Sequence, residues 1–459
     1  MFFELIRSCR VVAVLALCML AFANRARAAA EPARPTFFGA AFYLQRDDDA
    51  AKALDKQIED WAALESPELK VLRERPAGRP AEPTVLVQHP TLEQAGRVTE
   101  QELKLFGRAL TPEQQRAVID AKSVVGLFFM SAGGDRALPT VRAANKLLLR
   151  VSRETKCVIY DTATREYFSD VEWERRRVAS WSADGQPDVA KHITVHQYSP
   201  DNSPLVRLIS LGMGKFGRDD LVINGASRHD ADSSGALLNL AAQTLVEGPD
   251  ALDRAKGTLH VNVDALRHAE VRERNKKSYL DGATGDATLT VAEAKREDGD
   301  PENALLELTF AAGGTAAPGA TVHERRDAVL AHVFGSRESP TVEVEHDAKI
   351  LAASARARAR LPELAKRFAA GLAPGERLLL KAPFKTTKGN NEWMWVEVTQ
   401  WADGSITALL ANDPFDVADL KAGATVHVKE SDVFDYYLVK PDGKIEGNET
   451  GQILEKRSR

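Results

Sequence analysis

The sequence predicts an α+β protein built of two folded parts, and three features carry that prediction. Strand-like apolar runs alternate with helical patterns through the first part. A strand–helix–strand succession at 123–161 marks that part as mixed α/β with a βαβ unit. The last part opens on a helical segment and continues as strands separated by Asp-Gly and Asn-Asp-Pro turns, the pattern of a helix laid on a mostly antiparallel sheet. At 459 residues, 44% hydrophobic and 28% charged, the chain is too long for one ordinary domain and has ample material for packed cores.

Residues 1–28 read as a signal peptide. Arg7 and Arg10 supply positive charge, VVAVLALCMLAFA (11–23) is an apolar run, and Ala26-Arg27-Ala28 places small residues before a cleavage point at Ala29. The run is short for a membrane span, which needs about 20 residues. Leu-Ala-Leu-Cys at 15–18 resembles a lipobox, but Leu17 is large where that motif wants a small residue. Cleavage removes four Arg and one Glu, so the net charge moves from −5 to −8. The expectation is export to the periplasm or beyond, with no transmembrane span after cleavage. An acidic chain lacks the basic footprint of a nucleic-acid binder, so no nucleic-acid partner is expected. Cys157 is the one cysteine left after cleavage. That excludes an internal disulfide, and its apolar setting reads as a buried, inert thiol.

A first domain is expected over 35–270. FFGAAFYL (37–44) and TVLVQ (84–88) read as strands, with a helix at 49–65 whose Leu54, Ile58, Trp61 and Ala62 recur at helical spacing. The Pro-rich stretch 73–83 should be an exposed loop. TPEQQRAVIDA (111–121) carries an N-cap at Thr111 and Pro112 at the first position. SVVGLFFMS (123–131), a helix at 136–152 and KCVIYD (156–161) form the βαβ unit, with parallel strands expected. AKHITVHQY (190–198) and LVRLISLGM (205–213) read as a hairpin pair, with His192, Thr194 and His196 on one face. SSGALLNLAAQTLVEG (233–248) is a helix ended by Gly248. Residues 271–344 read as a small β-rich connector or extension. The last domain, 345–455, opens on a helical segment interrupted at Pro362.

Several motifs weigh against chemistry. GMGKFG (212–217) matches G-x-G-x-x-G, but the next segment, RDDLVING, reads as a strand, so a glycine-permitted bend is expected rather than a dinucleotide site. His192 and His196, on a strand, lie about 13 Å apart, too far for one ion. His229, Asp230 and Asp232 in a separate loop are a candidate metal cluster without EF-hand spacing. His323-Glu324-Arg325-Arg326-Asp327 has Asp where the metalloprotease motif needs its second His, and reads as an exposed charged helix start. No nucleophile elbow occurs. No metal and no cofactor are assigned. Arg356 and Arg360 share a helix face that reads as solvated.

The C-terminal domain carries a recognisable set in order: Lys381-Ala382-Pro383-Phe384, Trp395-Val396-Glu397-Val398, Leu410-Ala411-Asn412-Asp413-Pro414, Gly423-Ala424-Thr425-Val426 and Asp435-Tyr436, closed by Gly443 and Gly447. Over about 346–455 this resembles the YegJ-like domain, a bacterial family of unknown function. Tyr436 stands where the family pattern has Trp, and Asn448-Glu449-Thr450 replaces a Gly-Tyr-Thr type of ending. The N-terminal half resembles another uncharacterised bacterial domain through VVGLFFMSA and LGMGKFGRDDLVI. Neither resemblance implies an activity.

In EWMWVEVTQW (392–401) Trp393 and Trp395 alternate onto one face, Met394 and Val396 onto the other, and one face must pack against the helix. Trp395 is expected in that core, with Trp393 beside it or partly exposed. An exposed aromatic beside Asn391, Asn412 and Asp413 would form a recognition patch. The candidate binding residues are therefore Trp393, Asn412, Asp413, Asp435 and Tyr436. The leading expectation is a non-enzymatic envelope protein that binds a protein partner. The alternatives are a hydrolase of an envelope polymer, using carboxylates or His192 and His229, and a metal-binding envelope protein.

Overall fold

The computed structural model describes residues 34–457 except 79, 108, 199–204, 227–229, 316–321, 336–346, 374–375, 387–388, 412–413, 415–416, 418–419, 421–422 and 441–443. Residues 1–28, expected to be a signal peptide, lie outside the described residues. The chain divides into two compact units, one of 1–196, 208–224 and 234–336, the other of 197–207, 225–233 and 337–459.

The first unit opens on a six-stranded sheet. Its strands are β1 (Thr36–Leu44), β2 (Lys70–Leu72), β3 (Thr84–Gln88), β4 (Ser123–Ser131), β5 (Ile159–Asp161) and β6 (Glu166–Phe168), in the order β2-β3-β4-β1-β5-β6. β1 runs antiparallel to both β4 and β5, so those two strands point the same way and the helix Ala137–Thr155 joins them as the expected βαβ crossover. The unanticipated part is that β1 is inserted between them. Almost every β1 residue is buried, because both faces are covered. Ala41 and Tyr43 pack with Val98, Leu103 and Val118 from the short helices Glu100–Phe106 and Pro112–Ile119 and the turn before them. The Thr111 cap is as expected: its hydroxyl accepts from Gln114 N, and the Gln114 side chain accepts from Thr111 N. The helix expected at 49–65 is broken in two at Ala53.

The next sheet along the chain has seven strands. It comprises β7 (Thr194–Tyr198), β8 (Val206–Leu211), β9 (Asp220–Ala226), β10 (Leu252–Asp253), β11 (Thr258–Asn262), β12 (Asp286–Glu293) and β13 (Leu305–Leu308), in the order β10-β11-β12-β13-β9-β8-β7. Of the two readings of 271–344, connector or β-rich extension, the described residues 271–335 fit the extension. β12 pairs with β11, and β13 lies parallel to β9 inside the sheet. The start of the helix Val322–Phe334 is exposed at Val322 and Glu324, but Arg326 is fully buried on the same stripe as Val329, Leu330 and Val333. The glycine motif 212–217 is a bend, as expected. Gly212 and Gly217 take φ of 114° and 66° on either side of a 3-10 turn, Met213–Phe216, and a Cβ on Gly217 would come within 2.6 Å of the Arg34 carbonyl oxygen.

That bend delivers Lys215 into a buried charge cluster that joins four segments of the first unit. Asp161 Oδ2 accepts from Lys215 Nζ at 2.5 Å and from Arg177 Nη2 at 3.0 Å. Asp161 Oδ1 accepts from the backbone of Ala163 and Thr164. Lys215 also donates to the His192 carbonyl at 3.0 Å, and the Arg177 guanidinium lies over the Phe168 and Trp173 rings. Burial alone would push the Asp161 carboxyl up, but Lys215 and Arg177 outweigh it and hold it at about 2. Burial pulls Lys215 down to about 8 despite Asp161. A second buried carboxylate, Asp220, accepts from Ser210 Oγ, Met213 N and Asn303 Nδ2 with no cation in contact among the described residues, and burial raises it to about 6.

Removing one partner of a buried ion pair leaves the other uncompensated, so Asp161→Asn should destabilise the first unit by about 3–5 kcal/mol in urea unfolding. The two carboxylates act oppositely with pH. Asp220 binds its proton more tightly folded than unfolded, so its contribution, about 3 kcal/mol, grows as pH falls from 6 toward 3.8. Asp161 binds its proton less tightly folded, so its stabilisation is complete above 3.8 and is lost toward 2. Unfolding midpoints of wild type minus Asp220→Asn should therefore rise between pH 7 and 4; a flat difference contradicts the assignment.

Candidate functional site

The second unit is dominated by residues 347–457, where the helix Ala348–Ala369 lies on a six-stranded sheet of β14 (Arg377–Lys385), β15 (Asn391–Ala402), β16 (Ser405–Leu410), β17 (Thr425–Lys429), β18 (Asp435–Val439) and β19 (Ile445–Gly447). The order is β17-β16-β15-β14-β18-β19, antiparallel throughout. The Asp-Gly turn at 403–404 has both residues at positive φ, 50° and 72°, and closes the β15–β16 hairpin. The helix is not interrupted at Pro362. That residue sits on the exposed side, where the carbonyl its missing N–H leaves over can be hydrated.

One sheet face packs under the helix. Leu378, Leu380, Ala382, Met394, Val396, Ile406, Ala408 and Leu438 are buried there with Ala357, Leu361 and Leu364. Strand alternation puts Trp393 and Trp395 on the other face, opposite Pro383 and Lys381 in register. Trp395 is therefore outside the helix-covered core that was expected to hold it. Both tryptophans are half-buried. Trp393 packs on Phe434 with ring centroids 4.5 Å apart, and Trp395 meets the Tyr437 ring edge-on at 5.4 Å. Lys381 Nζ stands 5.7 Å from the Trp395 ring centre. Simple alternation would send Trp401 to this same face. A bulge between Val398 and Gln400 reverses the parity, so Trp401 packs against the helix-side core and donates from Nε1 to Glu430 at 2.9 Å. Pro383 is tolerated because β18 pairs with β14 only as far as Lys381.

Of the sequence-derived binding residues, Trp393 lies on the face just described, and Asn412 and Asp413 lie outside the described residues. Asp435 and Tyr436 are corrections. Asp435 is fully buried, its carboxylate accepting from Tyr436 N at 2.8 Å, Thr450 N at 2.9 Å and Thr450 Oγ1 at 2.6 Å. It captures the start of the helix Glu449–Arg457 and is not presented to a ligand. Tyr436 points to the helix side of the sheet and belongs to the core. The divergent ending works with it: Asn448 takes φ 57°, Thr450 holds Asp435, and Glu449 accepts from Arg356 at 2.9 Å. Arg356 and Arg360 lie on an exposed helix face, as expected, and there form surface ion pairs, the latter with Glu446 at 2.9 Å. Sequence reasoning missed Lys381, Phe434 and Tyr437 as partners of the tryptophans, although Lys381 stands in the motif that carried the resemblance.

Of the two histidines proposed for hydrolysis, His192 is a core residue and His229 lies outside the described residues. His192 is not on a strand but ends a 3-10 turn, fully buried between Trp181 and Phe216. Its Nε2 meets Ser180 Oγ at 3.0 Å, but that hydroxyl already donates to the Arg176 carbonyl, and His192 Nδ1 has no partner among the described residues. Burial first, then Arg177 and Lys215, hold its pKa well below the ordinary value, so it is a neutral core residue. His196 is stacked on Phe106. Cys157 is half-buried rather than buried. Desolvation nonetheless raises its thiol, which keeps it unreactive.

Asp435→Ala should leave the Thr450 and Tyr436 donors unsatisfied and cost about 1–3 kcal/mol. Amide exchange over 449–457 should accelerate well before the rest of the sheet; uniform exchange in the variant would contradict the anchoring role.

No helix among the described residues is long and apolar enough to cross a membrane. No curated protein and no solved structure matches the chain. Residues 347–458, the helix-and-sheet region that carries the aromatic face, match the family described as uncharacterized protein conserved in bacteria (DUF2314).

Proposed function

We propose that this chain is an exported bacterial protein that works by binding a protein partner, with the helix-free face of its C-terminal sheet as the contact surface. One observation carries the reading: Trp393 and Trp395 stand side by side on the face that the helix Ala348–Ala369 does not cover. Large aromatic side chains are the usual anchors of protein interfaces, since they bury much area while losing few rotamers. Export rests on the basic, apolar and Ala-Arg-Ala succession of residues 1–28.

The test is a pull-down of residues 29–459 from envelope extract, read by mass spectrometry beside Trp393→Ala. One partner captured at near-equal ratio and lost in the variant supports the reading; a partner kept by the variant removes this face from it. N-terminal sequencing of the chain expressed in a bacterium should begin at Ala29, and an intact Met1 in the product would overturn export by cleavage.

A further inference from the structure

We infer that the helix-free face receives an extended, acidic segment of the partner polypeptide, and that Lys381 is the group that meets its carboxylate. The inference rests on the reading that this face binds a protein, and names the chemistry of what is bound.

Lys381 lies at the middle of β14, half-buried, with the aromatic pair Trp395 and Tyr437 beside it. Among the described residues its ammonium makes no hydrogen bond and no ion pair within contact distance. The carboxylate opposite it in register, Asp435, is already occupied by the donors of Tyr436 and Thr450. A partly desolvated ammonium whose facing carboxylate is already shared among three donors gains when a second anion approaches. Burial draws the Lys381 pKa down, opposed by Asp435, which agrees with that placement.

The wider face has the matching sign. Alternation and register put Arg377, Lys381, Lys385 and Lys429 on it, against Glu397 and the buried Asp435. This cationic face belongs to a chain whose net charge is −5, so it is a local departure from the charge of the whole. A polypeptide fits it better than an acidic polysaccharide. Sugar rings stack on flat, open aromatic faces, whereas Trp393 packs at 45° on Phe434, Trp395 meets Tyr437 at 87°, and the Trp395 ring already faces the Lys381 ammonium at 5.7 Å. Trp393 and Trp395 are two residues apart on one strand, about 7 Å, which is also the spacing of alternate side chains in an extended peptide.

The experiment measures binding of three labelled probes to the full chain: a glutamate oligopeptide, its glutamine counterpart and a polygalacturonate oligosaccharide. The glutamate peptide should bind and the glutamine peptide should not. Lys381→Gln should weaken binding about tenfold, the loss of one charge-assisted contact, and Lys381→Met, which keeps the aliphatic stem, should do the same with an unchanged unfolding curve. Equal binding of the two peptides, or wild-type affinity in both Lys381 variants, overturns the inference; preference for the polygalacturonate overturns the polypeptide class. The pull-down separates this from failure of the underlying reading. A partner lost with Trp393→Ala but kept by Lys381→Gln leaves the face standing and removes the acidic chemistry, whereas a partner kept by both removes the face.

Discussion

A β-sheet has two faces, and residues 347–457 supply one long helix to cover them. That inequality decides what the C-terminal region can do. The helix Ala348–Ala369 takes the face with the aliphatic residues Leu380, Ala382, Met394, Val396 and Ala408, which pack closely beneath it. The face left over carries the bulky side chains with polar tips, Trp393, Trp395, Lys381 and Tyr437. Asp435 makes the arrangement rigid from the far side by tying β18 to the helix Glu449–Arg457. A one-residue slip of β15 would exchange Met394 for Trp395 under the helix, so the register and the candidate site are one constraint.

The first unit is held differently. Its sheet is covered on both faces and closed by a buried cluster in which Asp161 balances Lys215 and Arg177. Such a cluster adds little net stability over an apolar replacement, because desolvation offsets the Coulomb gain. What it supplies is specificity. The bend at 212–217, the segment that ends in Arg177 and the strand end at Asp161 satisfy one another's charges in one relative placement. Polar groups this deep invite a catalytic interpretation. Among the described residues, however, the Ser180 hydroxyl is spent on the Arg176 carbonyl and His192 Nδ1 has no partner, so these two groups are not arranged as nucleophile and oriented base.

Local signals carried much of the fold. β3 and β4 fall on the predicted residues, the Thr111 cap and the Asp403-Gly404 turn behave as their chemistry requires, and the split between a mixed α/β region and a helix-on-antiparallel-sheet region holds. Failures arise where a residue's neighbour is distant in sequence. Residues 271–344 leave connector and extension open because their strands are short and interrupted, and β13 is completed only by β9, more than eighty residues earlier. Arg326 reads as exposed because it is charged, but it lies on the helix's apolar stripe. Pro362 reads as a helix break, and its exposed position makes it harmless.

The candidate site divides along the same line. The sequence by itself determined that Trp393 and Trp395 share a face, that Met394 and Val396 share the other, and that one of these must be apolar core, because the side-chain period of a strand is two. Which face the helix takes is a packing choice, since β15 offers large apolar side chains on both of its faces, and only the tertiary structure decided it, together with the bulge at 398–400 that moves Trp401 away from its neighbours. Asp435 and Tyr436 illustrate the limit most clearly. Their side chains are adjacent in sequence and polar at their tips, but one is consumed by Thr450 fifteen residues later and the other by the core, contacts that no local pattern encodes.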